Sequence, residues 1–216
     1  MAAILLFALL LSLTGCGHDE YAESDMLPAY LVSVTAGETN GSGILYQKDQ
    51  HWLYVLTAAH VVSGMEPGGQ AALRFRDGWE ISANNISASA TTDIALIRVP
   101  LDEIPDEREE SYQCVESDKD SFDRLLIGDA CTAVGLARDG GELRYEGTIL
   151  DPWIYMDDYG QYMLWAEGKV QPGMSGGGLL DAEGRLAGIL SGGSEDGELA
   201  AVPLSLILQF MLECTQ

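Results

Sequence analysis

A serine set among glycines constrains this chain more than any other part of its sequence. The stretch 171–178 reads Gln-Pro-Gly-Met-Ser-Gly-Gly-Gly, and the apolar pair Leu179-Leu180 follows it. Residues without a Cβ let a backbone bend sharply and allow another group to approach it closely. A serine there can present its hydroxyl and its amide to a ligand, and we therefore interpret Ser175 as a nucleophile. The alternative is an ordinary glycine-rich turn, because short motifs also occur by chance.

A serine hydroxyl attacks a carbonyl only when a base takes its proton, and that base is usually a histidine. The chain has three histidines. His18 lies just after the N-terminal apolar segment and His51 lies in a polar turn, whereas His60 follows Thr-Ala-Ala in the apolar, β-favouring run 52–62. A histidine buried for packing is the alternative, but a core position does not need such small residues before it. His60 is therefore the predicted base.

Asp93 is the predicted acid, because it stands at the mouth of the otherwise apolar strand 94–99. A carboxylate buried there without a partner would cost free energy or shift its pKa, and an imidazole N–H is a suitable partner. The alternative is an aspartate that caps a loop. The order His60, Asp93, Ser175 also excludes two other classes of serine hydrolase. An α/β-hydrolase needs a histidine after its serine, and no histidine follows Ser175. A subtilisin-like enzyme needs an aspartate before its histidine, and the aspartates before His60 lie only in the polar leader and a turn.

Three segments of the chain resemble the catalytic segments of the trypsin-like serine peptidases. They are His60 in Thr-Ala-Ala-His, Asp93 in Asp-Ile-Ala-Leu and Ser175 in Gly-Met-Ser-Gly-Gly. The resemblance covers residues 29–213 and is stronger to bacterial members of the HtrA kind than to the digestive enzymes. The HtrA members are also matched by the stretches 41–45, 133–135 and 200–203.

Turn signals at short intervals and few helical patterns predict an all-β fold. The resemblance implies two six-stranded antiparallel β-barrels with the active site between them and a C-terminal helix. The expected parts of the peptidase domain, 29–216, are a first barrel at 29–100, a connection at 101–125, a second barrel at 126–203 and the helix at 204–216. Strands are predicted at 29–36, 41–47, 52–56, 71–76, 81–88, 94–99, 130–134, 142–150, 153–156, 161–167, 177–180, 186–190 and 198–202. The helix begins after Pro203 and is apolar nearly all round, so we expect it to pack against the barrels.

The mechanism that the resemblance implies is acyl transfer to a polypeptide substrate. His60 would take the proton of Ser175, Asp93 would orient and stabilise the imidazolium, and water would release the acyl group. The backbone N–H groups of Gly173 and Ser175 would form the oxyanion hole. Met174 stands where digestive members carry an aspartate that pairs with a newly cut N-terminus. We therefore do not expect activation by propeptide cleavage.

The stretch 188–193 resembles the strand with which the family pairs an extended substrate, and it contains Ser191, Gly192 and Gly193. Ser191 matches the serine that supports the catalytic aspartate. Gly193 and Gly197 match positions beside the primary specificity pocket, so an open pocket mouth is expected. Lys169 falls near the base of that pocket and suggests a preference for an acidic side chain. The alternative is that the Lys169 side chain extends into water.

Residues 1–15 are predicted to be a lipoprotein signal peptide, because they are apolar but too short to span a bilayer. Leu13-Thr14-Gly15-Cys16 resembles the bacterial lipobox, in which the cysteine is lipidated, and residues 16–28 would form an acidic tether. The alternative is an ordinary signal peptide with an incidental cysteine, and residues 1–3 carry no Lys or Arg. We expect an exported protein at the cell envelope. Cys16 would anchor it to a bacterial membrane, facing the periplasm or the exterior, and no PDZ domain is expected.

The formal net charge is −23, from 34 acidic and 11 basic residues. Such a surface repels nucleic acid and anionic lipid head groups, so no nucleic-acid partner is expected. We expect no metal site, since the sequence has neither a C-x-x-C motif nor paired histidines. The acyl-transfer mechanism that the resemblance implies requires no organic cofactor either. With Cys16 lipidated, Cys114, Cys131 and Cys214 can form at most one disulfide. Free thiols and one bridge of unspecified pairing both remain open.

Three functions from different classes fit these observations. The first, which the intact set of three segments favours, is a lipid-anchored serine endopeptidase. The second is a catalytically silent pseudoprotease that acts as a binding lipoprotein. The third is an esterase that uses the same three residues on small acyl compounds.

Overall fold

The computed structural model describes residues 29–66, 68–194 and 196–214. The predicted signal peptide and tether, with Cys16, lie outside these residues. None of the helices within the described ranges has the length and apolar character needed to cross a membrane. The predicted all-β fold with two barrels and a closing helix is confirmed, although the first barrel differs in its strand count.

The first sheet is antiparallel and holds seven strands in the order β5-β4-β1-β2-β3-β7-β6. Its strands are β1 (Leu31–Ala36), β2 (Thr39–Lys48), β3 (Trp52–Thr57), β4 (Ala71–Arg74), β5 (Glu80–Ala83), β6 (Asn85–Ala88) and β7 (Ala95–Pro100). Apolar residues alternate toward the interior, as Val32, Val34 and Ala36 do along β1, all of them buried. Burial on one face with period two is what packs a sheet around a core.

The single strand expected at 81–88 is two strands in the structure, β5 and β6, separated by Asn84. β5 pairs with β4 and β6 pairs with β7, so the two edges of the sheet meet at Asn84. The first sheet is therefore a nearly closed barrel of seven strands and not a closed barrel of six. Asparagine is disfavoured within strands and common at sharp changes of chain direction, which fits its place at this corner.

The second sheet is a closed six-stranded barrel with the order β10-β13-β12-β11-β8-β9. Its strands are β8 (Ala130–Leu136), β9 (Glu142–Met156), β10 (Gln161–Glu167), β11 (Gly178–Leu180), β12 (Leu186–Gly193) and β13 (Glu198–Pro203). The segments expected at 142–150 and 153–156 are one continuous strand. Pro152, between the two expected segments, lies where the register between β9 and β10 shifts. A bulge of this kind accommodates the missing N–H of a proline.

Helical segments are short except at the C-terminal end of the described chain. They are α1 (Ala59–Val62), a 3₁₀ turn (Leu101–Glu103), α2 (Asp106–Glu109), α3 (Lys119–Phe122) and α4 (Leu204–Cys214). Leu204, Ile207, Phe210 and Met211 form the buried stripe of α4. They pack into the core of the second barrel, whereas Leu212 on the other face is 63% exposed. The predicted helix is thus confirmed, and it packs through one face.

The three described cysteines are free thiols in the structure. Cys131 is buried in the second core, and burial raises its pKa to about 11. Burial also raises the pKa values of Cys114 and Cys214. Of the two states left open by the sequence, the structure therefore has free thiols at these three positions, and the raised pKa values favour their protonated form.

A substitution at Leu164 tests the packing of the core of the closed barrel. Leu164 on β10 is fully buried, so replacing it with alanine removes apolar contacts and leaves a cavity. We expect Leu164→Ala to lower the free energy of unfolding by about 2–5 kcal/mol in a urea titration. The matched control is Leu212→Ala, since Leu212 is mostly exposed, and we expect its effect to stay within about 0.5 kcal/mol. Equal losses in the two variants would contradict the packing described here.

Candidate active site

His60 and Asp93 lie at the edge of the first barrel where β3 ends and β7 begins. These two strands are antiparallel, with Thr57 opposite Ala95, so the residues just after β3 and just before β7 lie at the same edge. His60 Nδ1 is 2.8 Å from Asp93 Oδ2, and His60 N donates to Asp93 Oδ1 at 2.9 Å. Two bonds to one carboxylate fix both its position and the orientation of the imidazole ring.

Each member of this pair shifts the pKa of the other. The hydrogen bond with Asp93 raises the pKa of His60, against an opposing effect of burial. Burial by itself would raise the pKa of Asp93, but the bonds from the His60 side chain and backbone outweigh it and lower that pKa. The carboxylate therefore stays ionised while the imidazole gains proton affinity, which is the electrostatic arrangement of a general base.

Ser175 lies in the loop between β10 and β11, and this loop packs against the segment that carries His60. A Cβ built on Gly176 would lie 2.2 Å from Thr57 Oγ1 and 3.0 Å from Ala58 N, so only glycine fits there. The φ of Gly176 is +84°, which also favours glycine. The glycines that marked this stretch in the sequence thus allow the serine loop to approach the first barrel closely.

The Ser175 hydroxyl donates to the carbonyl oxygen of Ser191 at 3.4 Å. Within the described part of the chain its hydrogen bonds do not include one to His60. Nucleophile–base bonds are often long or misaligned before substrate binds, so this geometry is compatible with a resting site.

The backbone N–H groups of Gly173 and Ser175 have no acceptor among the described residues. The neighbouring amides are satisfied internally, since Met174 N donates to Gln171 O at 3.0 Å and Gly176 N donates to Leu190 O at 2.8 Å. Gly173 has a φ of +108°, and a Cβ there would lie 2.6 Å from the carbonyl oxygen of Leu136. Two unpaired donors on one tight loop can bind a negatively charged oxygen.

Ser42 is a residue of the site that sequence reasoning missed. It is fully buried, its Oγ donates to Gly173 O at 2.7 Å, and it accepts from Leu136 N at 2.8 Å. Its own N–H donates to Ser175 O at 2.7 Å. A serine between Gly41 and Gly43 was a usable signal, because a Cβ on Gly41 would lie 2.8 Å from Ser175 O. Ser42 thus ties the loop on both sides of Met174 to the first barrel.

A cavity of about 210 Å³ opens beside Ser175. Its lining residues are Val170, Gln171, Pro172, Met174, Ser175, Leu190, Gly192 and Gly193. Of the residues predicted to bind substrate, Gly192 and Gly193 line this cavity. Lys169 is exposed and Gly197 lies in the turn before β13, and neither belongs to the lining.

Ser191 lies on β12, next in sequence to Gly192 of the cavity lining. It is buried, and its hydroxyl helps to lower the pKa of the Asp93 carboxyl. Standard hydrogen-bond geometry does not join its Oγ to any described residue. Ser191 therefore contributes to the electrostatic environment of Asp93, and the bonds from His60 contribute more.

The mouth of the cavity is narrower than its glycines suggest. A Cβ on Gly193 would lie 2.3 Å from Val170 Cγ2, and one on Gly192 would lie 2.9 Å from the Tyr159 hydroxyl. Side chains from other segments therefore occupy the space that these glycines leave.

The family profile described as "Trypsin-like peptidase domain" matches residues 41–189, more than half of the chain. The chain belongs to the trypsin-like peptidase family. This trypsin-like peptidase is 26% identical over 160 residues to "Serine protease Do-like HtrA" of Bacillus subtilis, which covers 70% of the chain and 33% of the relative. It is 26% identical over 185 residues to "Probable periplasmic serine endoprotease DegP-like" of Hahella chejuensis, covering 81% of the chain and 35% of the relative. The chain thus spans about a third of the length of the curated relatives it matches.

A solved structure described as "HtrA-type protease AlgW with tripeptide" matches with a TM-score of 0.68 at 24% identity. The match covers 85% of the trypsin-like peptidase chain and 59% of the other chain. At this identity the likeness supports the fold, and the two-barrel architecture of this trypsin-like peptidase agrees with it.

The His60–Asp93 pair predicts how this trypsin-like peptidase responds to pH. Because the folded-state pKa of His60 is raised above its ordinary 6.5, protonated His60 contributes stability that is complete below pH 6.5 and is lost as pH rises through the raised value. We expect Asp93→Asn to move the titration of the His60 ring, followed by NMR, to lower pH. Asp49→Asn is the control, since Asp49 bonds to Tyr54. An unchanged His60 titration in Asp93→Asn would contradict the described pairing.

The Ser42 contacts predict a second outcome. Ser42→Ala removes a partner from the buried Leu136 N and from the partly buried Gly173 O, and a buried group left unsatisfied costs about 1–3 kcal/mol. We expect chemical denaturation to show a loss of this size, together with slower reaction of Ser175 with a fluorophosphonate because its loop is less constrained. Ser82→Ala, at an exposed position of β5, is the control and should change stability by about 0.5 kcal/mol or less. A Ser42→Ala variant as stable and as reactive as the control would refute this role.

Proposed function

We propose that this trypsin-like peptidase is a serine endopeptidase in which Ser175 is the nucleophile, His60 the general base and Asp93 the residue that orients His60. The observation that carries this proposal is the doubly bonded His60–Asp93 pair, at the edge of the barrel against which the Ser175 loop packs. The two unpaired amides of that loop support it, because acyl transfer needs donors for the developing oxyanion.

The proposed reaction begins when Ser175 Oγ attacks the carbonyl carbon of a peptide bond. Its proton passes to Nε2 of His60, since Nδ1 of that ring faces Asp93. The Gly173 and Ser175 amides bind the oxyanion of the tetrahedral intermediate, each contributing about 3 kcal/mol. His60 then gives its proton to the leaving amine and an acyl-enzyme forms. Water, deprotonated by His60, hydrolyses the ester and restores the Ser175 hydroxyl.

The proposed substrate is an extended polypeptide. β11 reaches β12 only as far as the pair Gly178–Ile189, so none of the described strands pairs with 191–193 on that side. A substrate can add there as a further strand, which gives main-chain affinity with little sequence preference. The cavity lining of Val170, Pro172 and Leu190 favours an apolar side chain at the cleaved residue. An acidic preference set by Lys169 has no support from this lining.

We also propose that the protein is exported and anchored through lipidated Cys16. Export is supported by the relatives, one of which is described as a probable periplasmic endoprotease. The anchor is supported by the lipobox-like residues 13–16. A tether of 12 further residues at 17–28 would reach at most about 40 Å when extended. Its substrates would then be proteins of the envelope or its surroundings.

An activity-based probe tests the function. We expect a fluorophosphonate to label the purified protein, and Ser175→Ala to abolish labelling, because the probe reacts only with a serine activated by its surroundings. Ser117→Ala, an exposed serine of the connection, is the matched control and should label normally. Cleavage of unstructured polypeptides should fall by about three orders of magnitude or more in Ser175→Ala.

Two results would overturn the proposal. A folded protein that resists the probe would be a catalytically silent binding protein. A protein that labels and hydrolyses soluble esters, but cleaves no polypeptide, would be an esterase.

A further inference from the structure

The turn between β9 and β10, residues 157–160, reaches the cleft from the second barrel. Its backbone is held internally, since Tyr159 N and Gly160 N both donate to Met156 O, at 3.1 Å and 2.9 Å. Gly160 has a φ of +63°, a value that favours glycine and closes the turn tightly. The turn therefore presents Tyr159 in a fixed direction.

A buried glutamine fastens this turn to the Asp93 loop. Gln161 begins β10, is 7% exposed, and accepts through Oε1 from Asp93 N at 3.2 Å. Its Nε2 lies 2.9 Å from Met163 Sδ, which holds the amide from its other end. Since the Asp93 loop belongs to the first barrel, this bond sets the hairpin across the groove between the barrels.

Tyr159 then stands over the strand on which we propose that substrate lies. Its hydroxyl would lie only 2.9 Å from an ideal Cβ built on Gly192, so the ring takes the space that a side chain at Gly192 would need. Burial raises the pKa of Tyr159, and the negative charge of Asp93 raises it further, so the hydroxyl also lies within electrostatic range of the acid. Tyr159 is thus close to Gly192, and the next-but-one residue, Gln161, bonds the hairpin to Asp93 N.

The pleat of an extended substrate determines which of its side chains meets this ring. Successive side chains of a strand point to opposite faces. When one residue places its side chain in the cavity lined by Val170 and Leu190, the residue before it points the other way. On β12 itself a Cβ on Gly193 would meet Val170 of the cavity, whereas one on Gly192 would meet Tyr159, so Tyr159 borders the opposite face.

We propose that Tyr159 is a specificity-determining residue that limits the size of the substrate residue immediately before the one held in the cavity. The phenol ring forms the wall of this subsite, and small residues such as glycine and alanine are preferred there. This inference rests on the proposed endopeptidase function and names a feature of its substrates.

A peptide series with one variable position tests the inference. The peptides share an apolar cleaved residue and differ only in the residue before it, which is Gly, Ala, Leu or Phe. For the wild type we expect kcat/KM to fall from Gly to Phe. In Tyr159→Ala we expect the Leu-to-Gly ratio of kcat/KM to rise about tenfold, because filling or opening a pocket by a few carbons changes specificity by that order. The ratio is measured within each variant, so partial loss of folded protein cancels.

Two further variants sharpen the test. Tyr159→Phe keeps the ring and should hold the Leu-to-Gly ratio within about twofold of the wild type. Tyr155→Ala is the matched control, since Tyr155 belongs to the same hairpin, is 52% exposed and packs edge-on against Tyr162. Its ratio should stay at the wild-type value.

An unchanged ratio in Tyr159→Ala, with the wild type active, would overturn this inference and leave the proposed function standing. A wild type that neither cleaves the peptides nor reacts with a fluorophosphonate would overturn both.

Discussion

The relative placement of the proposed nucleophile and base depends on one buried residue, Ser42. Through its N–H and hydroxyl it bonds Ser175 O and Gly173 O, and its own carbonyl accepts from Thr57 Oγ1 at 2.7 Å. Thr57 ends β3, three residues before His60. Ser42 therefore fixes the position of the Ser175 loop of the second barrel relative to β3, the strand of the first barrel that ends just before His60. Ser42 and Thr57 are fully buried, so each bond that they left unmade would carry a desolvation cost, and their bonds hold the two barrels in one register.

The protonation states of Asp93 and His60 follow from their exposure and from the bonds between them. The Asp93 side chain is 20% exposed and carries both bonds from His60, whereas the His60 side chain is 46% exposed. Burial alone would favour a neutral acid, but two donors at 2.8 Å and 2.9 Å keep the carboxylate ionised. The imidazole can then gain a proton at its open side while its other nitrogen stays oriented. A stronger base follows, and it is available only above its own raised pKa.

The parts of this fold that follow local patterns were predictable from the sequence. Turn signals indicated the strands, an apolar run after Pro203 indicated the closing helix, and three segments marked His60, Asp93 and Ser175 as candidates. The contacts that assemble the site were not predictable in this way. The Ser42 hydroxyl meets a carbonyl 131 residues away, and Gln161 meets the amide of a residue 68 positions away. Such contacts depend on how the two barrels pack against each other, and the residue pattern within one strand carries no information about that packing. The division of 81–88 into two strands at Asn84 was unpredictable for a similar reason, because it depends on the pairing of β5 with β4 and of β6 with β7.

A glycine in a binding groove can leave the groove open, or it can make room for a side chain from another element. The sequence alone does not distinguish these two cases. At Gly193 and Gly197 the expectation was an open mouth, and around Gly197 a Cβ would meet no atom within 4 Å. At Gly193 the Val170 side chain fills the space, and at Gly192 the Tyr159 hydroxyl does. A missing side chain there lets a residue from another element enter the groove. Specificity can then be set by a residue on a hairpin turn that carries none of the catalytic segments. Since loops tolerate substitution better than the strands they join, this arrangement allows the subsite to change while the strand that holds the substrate backbone keeps its glycines.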